Sequence, residues 1–418
     1  MSWMKRTFAA LEYREYRFLW SGSMLATTAF MMSFMLVPSV AFEISGSNAA
    51  AGIAQAGSGI AMLIVSPIGG VIADRMRKKP LVLAGQTLPA VTILITGILI
   101  VTDRITVPIL TFTTLLMGLG FAFMGPARQA WVAELVPKDS LSNAIALQQL
   151  AQNISQVAAP LSIAILVGSA LGIGGTYLVM ASVFVIVLPI TVSLPDTPPT
   201  KERETRSVRV ELAAGLGYVW GEPALRTLWL GFVGMVVCGF AFQTLLPGFL
   251  SEELGRSPTE IGPIFLVLAL AGLLINLPLA GLVRSGPAWP ALLVMGFVMA
   301  FGFLVVAAAP SYLLAIFAAI PLGIGRSGFM LLDNSLLMST ARPAYHGRVM
   351  SLAMMGFGSQ ALLAPVWGAI ADQIGVRATL AGVGIASAIV TVMVGIGWFR
   401  HRGRPPAIPT APDGLQVD

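Results

Sequence analysis

The sequence predicts an all-α membrane protein of twelve transmembrane helices in two pseudo-symmetric six-helix halves. Three observations predict it. First, 56% of the 418 residues are hydrophobic and only 11% are charged, against roughly 25% charged in soluble domains. A single soluble core could not hide that much apolar surface. Second, twelve apolar runs follow one another, each near or above the ~20 residues needed to cross a hydrocarbon core. Third, the cations are segregated. With the N-terminus cytoplasmic and twelve crossings, 21 of the 25 Lys and Arg fall on the cytoplasmic side. Three (Arg104, Arg256, Arg377) fall on the other side, and Arg326 lies inside a run. Basic short loops stay cytoplasmic, so the bias fixes the orientation. It also supports the count, because one missed span would scramble the sides.

In order along the chain, residues 1–17 interleave Lys5, Arg6, Arg14 and Arg17 with aromatics, the composition of an interfacial segment. No cleavage-site pattern follows, and the first run is too long for a signal-peptide core, so it reads as a retained first span. The runs cover about 18–43, 49–73, 80–102, 107–127, 140–166 and 174–194, then 224–250, 260–283, 289–309, 311–333, 347–371 and 377–399. This gives a first half at 1–194, a polar cytoplasmic linker at 195–223, a second half at 224–399 and a Pro-rich tail at 400–418 expected to be disordered. In the linker, Val208, Leu212, Leu216 and Val219 recur at helical spacing, which predicts an amphipathic helix on the membrane surface. The halves repeat weakly. Aligning Pro160 with Pro365 lays span 4 on span 10 and Arg128 on Asp333, and PIGGVI of span 2 matches PLAGLV of span 8. Paired six-span halves are an architecture of transporters.

The polar residues inside the runs are the candidates for function, because a charge or amide facing lipid is costly. Span 5 carries Gln148, Gln149, Gln152, Asn153 and Gln156, and positions 149, 152, 153 and 156 share one helical face. They read as a wall of a substrate cavity or as interhelical hydrogen bonds at a packed seam. Gln55, Gln243, Asn276 and Gln360 are single amides in other spans that also point to the cavity. Arg326 stands mid-span and could bind an anionic group or pair with a carboxylate. Asp333, two turns on, is a proton-carrier candidate or a helix-end partner for Arg128 or Arg342. Glu43, at the outer end of span 1, is a second proton candidate or a solvated loop acid. Gly118, Gly120, Gly125 and Pro126 in span 4, and Pro321, Gly323, Gly325 and Gly328 in span 10, suit either rocking helices or static close packing. The twenty methionines offer adaptable surface of the kind polyspecific pockets use.

Other classes find little support. No phosphate-cradling loop with its Lys-Ser or Lys-Thr is present, no GxSxG elbow, and no His/Cys metal cluster; no cofactor or metal is expected. The cations lie in short clusters between runs, which does not suggest nucleic acid. The lone Cys238 sits inside a run and excludes a disulfide within the chain. An enzyme is not expected, and no repeated charged ring suggests a channel.

The connection after span 2, GGVIADRMRKKP (Gly69–Pro80), places Asp74 at the end of one run and Arg75, Arg77, Lys78 and Lys79 before the next. Gly70-x-x-x-Asp74-Arg75-x-Arg77-Lys78-Lys79 resembles the signature loop of the major facilitator superfamily, departing from it at Arg77, where glycine is usual. GPARQAWVAELVPKDSLSNAIALQQLAQNISQVAAP (Gly125–Pro160) and ELAAGLGYVWGEPALRTL (Glu211–Leu228) resemble its third drug/proton antiporter branch, which includes drug and siderophore efflux proteins. The resemblance runs from span 1 to span 12. It implies that Asp74 meets the start of span 11, at His346–Ser351, and that the loop cations Arg75, Lys78 and Lys79 meet Glu134, together a cytoplasmic latch in the outward-open state. It further implies efflux of amphipathic small molecules by proton antiport from a monomer in the inner membrane, with lipid around it. Export of a dedicated metabolite such as a siderophore, or of a lysolipid, is the alternative.

Overall fold

In lipid every backbone N–H and C=O must find a partner within the chain, and helices achieve this locally. The computed structural model describes residues 8–196, 208–285, 288–342 and 345–401; the side chains of 66–75, 126, 138, 208–212, 280, 282–285, 351 and 354 are outside that set. Twelve of its helices are long and apolar enough to span a membrane. The first six are α1 (Arg14–Ser45), α2 (Asn48–Arg75), α3 (Lys78–Val101), α4 (Val107–Leu135), α5 (Lys138–Val167) and α6 (Gly172–Ser193). A short linker helix, α7 (Val208–Gly221), follows. The last six are α8 (Pro223–Gly248), α9 (Gly262–Ser285), α10 (Ala288–Ala308), α11 (Tyr312–Thr340), α12 (His346–Ile374) and α13 (Val376–His401). Twelve crossings bring Arg14 and His401 to one end of the bundle, the terminal end. The links at 46–47, 254–261 and 375 lie at the other, the far end.

The connections explain themselves locally. Gly46 takes φ 67°, the left-handed conformation that closes a helix, and its N–H returns to Phe42 O. The backbone N–H of Ala10 donates to Asn143 Oδ1 at 2.9 Å, and Tyr16 Oη donates to Ala144 O at 2.8 Å, so the start of the chain is fastened to α5. In α7, Val219 is buried while Leu216 is exposed; Val208 and Leu212 of the expected stripe are outside the described side chains. The tail from residue 402 lies outside the described residues.

Two helices are longer than their apolar runs. α4 continues through Arg128 to Leu135, and α11 continues through Asp333 to Thr340. A hydropathy window stops at the first charge, whereas a helix continues as long as neighbouring helices supply partners. Arg128 and Asp333, read at the cytoplasmic edge of the spans, therefore lie within packed helix. Most glycines of α4 and α11 pack tightly within their own halves: Gly118 on Ser58 and Ala61, Gly120 on Gly85 and Pro89, Gly325 on Met299, whereas Gly125 has open space around it. A Cβ at Gly118, Gly120 or Gly325 would collide with a neighbour in the same half, so these sites serve close packing within each half.

Candidate functional site

The two halves meet along three seams. Gly52 of α2 lies against Ala364–Pro365 of α12, and Gly59 against Ala361. Gly262 at the start of α9 lies against Ala164 near the end of α5. Between α1 and α8, Gln243 Nε2 donates to Phe34 O at 2.7 Å, and Thr244 Oγ1 donates to Gln55 Oε1 at 2.6 Å across to α2. All of these contacts lie in the far half of the bundle.

Far-end closure is completed by charge. Asp372, in the last turn of α12, accepts from Ser47 Oγ at 2.6 Å, from the backbone N–H groups of Asn48 at 2.8 Å and Ala49 at 3.0 Å, and from Asn48 Nδ2 at 3.0 Å. Asn48 Nδ2 also donates to Glu252 Oε1 at 3.0 Å. Glu252 lies on a π-helical turn, Phe249–Glu253, that extends α8. Such turns re-aim side chains and recur at functional sites. Next to it Arg377 donates to Glu253 Oε2 at 2.6 Å and to Ala307 O and Ala309 O, tying α13, α8 and α10 within the second half.

The predicted loop cations do something more local. Lys78 Nζ lies 3.4 Å from Glu134 Oε1, with the lysine almost fully buried. Lys79 Nζ donates to Val192 O and Leu194 O at 2.6 and 2.7 Å, a cation on the orphan carbonyls at the C-terminus of α6. Arg77 pairs with Asp196 at 2.7 Å on the surface. None of these contacts reaches the second half: Arg77 pairs with the start of the linker, and Lys79 holds α6 and does not bridge the halves. The side chains of Asp74 and Arg75 lie outside the described residues.

Among the candidates within the spans, Arg326 has the most telling surroundings. Its guanidinium sits 4.0 Å from the centre of the Phe240 ring, a cation–π contact. Its aliphatic stem packs beside Gly239, whose Cβ position lies 3.7 Å from Arg326 Cγ and Cδ. Phe240 in turn meets Phe357 edge to face at 5.9 Å. Among the described residues no carboxylate pairs with Arg326, which is half-buried. Asp333, two turns toward the terminal end, is 0% exposed and neither carboxylate oxygen has a hydrogen-bond partner. One turn before it, Met330 packs with Phe232, Val236, Ala353 and Phe357. Burying a carboxyl group without a hydrogen-bond partner is costly, which marks Asp333 as a residue kept for function. The repeat-equivalent residue, Arg128, donates to Thr27 Oγ1 at 3.2 Å, with its Nε buried and unpartnered.

The amides divide. Gln149 and Gln156 are exposed and Gln152 and Asn153 half-buried on α5; Gln149 Nε2 bonds Asn153 Oδ1 at 3.3 Å. Gln243 and Gln55 are buried and used in the far-end seam. Gln360 is buried, and Asn276 is half-buried with its Oδ1 unpartnered. Glu43 is exposed at the far end. Sequence reasoning missed Ser47, Asn48, Glu252, Asp372 and the Phe240 platform. Their only signal was polar residues at the ends of apolar runs, which is also where ordinary interfacial residues stand.

Comparison with known proteins agrees with this geometry. The model of the Major Facilitator Superfamily matches residues 19–359. The multidrug efflux pump Tap of Mycolicibacterium fortuitum is 22% identical over 377 residues, covering 87% of this chain and 90% of its own length. The enterobactin exporter EntS of Citrobacter koseri is 24% identical over 432 residues, covering 98% of each. Among solved structures, a variant of the peptide transporter POT superposes with TM-score 0.74 at 13% identity, covering 93% of this chain and 95% of that one. A variant of the nucleoside transporter NupG gives 0.74 at 14%, covering 92% and 100%. At such identities the structures speak for the fold alone. With its two six-helix halves, its polar interior and a family match over most of its length, the chain belongs to the Major Facilitator Superfamily and is a transporter of small molecules.

Proposed function

We propose that this transporter exports amphipathic small molecules carrying an anionic group, in exchange for protons, by alternating access across the cytoplasmic membrane with both termini inside. Arg326 carries the substrate half of this reading. A permanent cation deep in the bundle, faced by an aromatic ring and by no carboxylate, is an unmatched anchor for a carboxylate, phosphate or phenolate. Phe240 beside it offers an apolar contact for the rest of the ligand, and the amides of α5 are candidates for a neutral polar one. The efflux direction is supported by the relatives Tap and EntS. The 21-to-3 cation bias supports the orientation, which puts the sealed far end on the outer side. An anionic metabolite of the siderophore kind fits Arg326 better than a cationic drug does.

Asp333 supports the proton half. A neutral buried acid that loses its proton when an opposing cation approaches is a coupling device, and Arg128 occupies the equivalent place in the other half. Inverted vesicles loaded through a pH gradient test both parts. Accumulation of an anionic amphiphile is expected to collapse with a proton ionophore and to be lost in Arg326→Gln. Accumulation that persists without the gradient rules out proton coupling. An unchanged KM for anionic substrates in Arg326→Gln rules out the anchor.

A further inference from the structure

Helices α2 and α12 carry the same ending. Pro67–Asp74 reads PIGGVIAD and Pro365–Asp372 reads PVWGAIAD, alike at Pro, Gly, Ile, Ala and Asp. In both helices the aspartate stands in the last turn. The two helices run in opposite directions and pack on each other, Gly52 on Ala364–Pro365, Gly59 on Ala361 and Leu63 on Gly358. The two aspartates therefore stand at opposite ends of one antiparallel helix pair. Inverted repeats nested within the halves of this architecture produce such a relation.

At the far end the arrangement is complete. A helix opens with four backbone N–H groups that lack partners, and a cap is normally supplied by the residue just before the helix. Ser47 does part of this for α2: its Oγ accepts from Ala50 N and its carbonyl from Ala51 N, each at 3.3 Å. The first two N–H groups, of Asn48 and Ala49, go to Asp372 of the other half. The start of α2 is thus capped from across the interface by an anion that also meets the positive end of the helix dipole. Asp372 pairs with no cation. The charged side chain it faces is Glu252, bound to the same Asn48 amide, while Arg377 is taken by Glu253. Asn48 is wedged against Gly248 and Gly368, where no Cβ would fit, so the cap forms only when the halves are shut at this end.

We propose that Asp372 is the far-end gate residue of the transport cycle: its cross-half cap on Asn48 and Ala49 must break each time the far end opens. The family resemblance already implies the corresponding role for Asp74 at the start of α12, so the far-end cap of Asp372 is its counterpart at the opposite end. This rests on the alternating-access reading but not on any substrate or coupling ion.

Double electron–electron resonance on the full chain in lipid nanodiscs, without substrate or pH gradient, tests it. In a Cys238→Ala background, spin labels at Ile44 and Ile374 report the far end, and labels at Met76 and Phe399 the terminal end; all four side chains are exposed. Asp372→Asn is expected to raise the ratio of far-open to far-closed distances roughly fivefold, as loss of one helix cap corresponds to, with the terminal pair moving closer in step. Asp74→Asn is expected to shift both pairs the opposite way. Asn48→Asp, which sets a third carboxylate against Asp372 and Glu252, opens the far end without altering Asp372, and it decides the matter if Asp372→Asn does not fold. Far-end distances that match the parent in folded, monodisperse protein overturn the proposal, as does opening by Asp74→Asn equal to that by Asp372→Asn.

Discussion

The two ends of the bundle carry similar charged side chains and use them differently. At the far end Asp372, Glu252 and the Asn48 amide join the first half to the second. At the terminal end Lys78, Lys79 and Arg77 find Glu134, the end of α6 and Asp196 at the start of the linker, none of them in the second half. The difference teaches that a charge at a helix end has no fixed role. It goes to the nearest uncompensated helix terminus or counter-ion, and which half supplies that partner depends on which end is shut. The far end is thus held across the halves, while these three loop cations are held without reaching the second half.

The strongest way to break this comparison is to prevent the far end from opening. Gln55 and Thr244 touch across the halves. In a Cys238→Ala background, the oxidised Gln55→Cys/Thr244→Cys pair is expected to abolish transport, with reductant restoring it; full activity in the cross-linked protein would show that the far end need not open. Next in size is the interior anchor. Losing the charge of Arg326 removes a hydrogen bond to a charged group, worth about 1.5–3 kcal/mol, so Arg326→Gln is expected to raise KM for anionic substrates about 10- to 100-fold. Neutral analogues are expected to change little.

Two smaller effects sharpen the terminal side. Lys78→Met takes the cation out of a nearly buried pair. Because Glu134 is partly exposed, the cost falls below the ~3–5 kcal/mol of a fully buried broken pair. The melting temperature is expected to drop by a few degrees while far-end spin-label distances stay put. Arg77→Ala removes a solvent-exposed pair worth about 0–1 kcal/mol, and both stability and transport are expected to match the parent within error. A large transport defect in that variant would place the surface pair in the cycle.

Much of the architecture was legible. Twelve apolar runs and their basic connections give twelve helices in the right places, because burying backbone polar groups in lipid leaves helix as the only local solution. The charged ends of α4 and α11 were less legible. Arg128 and Asp333 read as edge residues because hydropathy counts a charge against a span. Only packing shows that Thr27 receives one of them and that an apolar cluster surrounds the other. Gln243 and Gln55 show the converse: each was recognisable as an amide that must face protein, but whether it faced a cavity or a seam depended on the helix opposite.

By itself the sequence determined the membrane class, the span count, the two halves and the family, since these follow from local composition and a short loop signature. The tertiary structure alone decided which end is shut, that Arg326 stands unpaired beside Phe240, and that Asp372 caps a helix more than three hundred residues earlier. Those facts are contacts between helices remote in the chain, and a carboxylate's partner is set by where the other half stands.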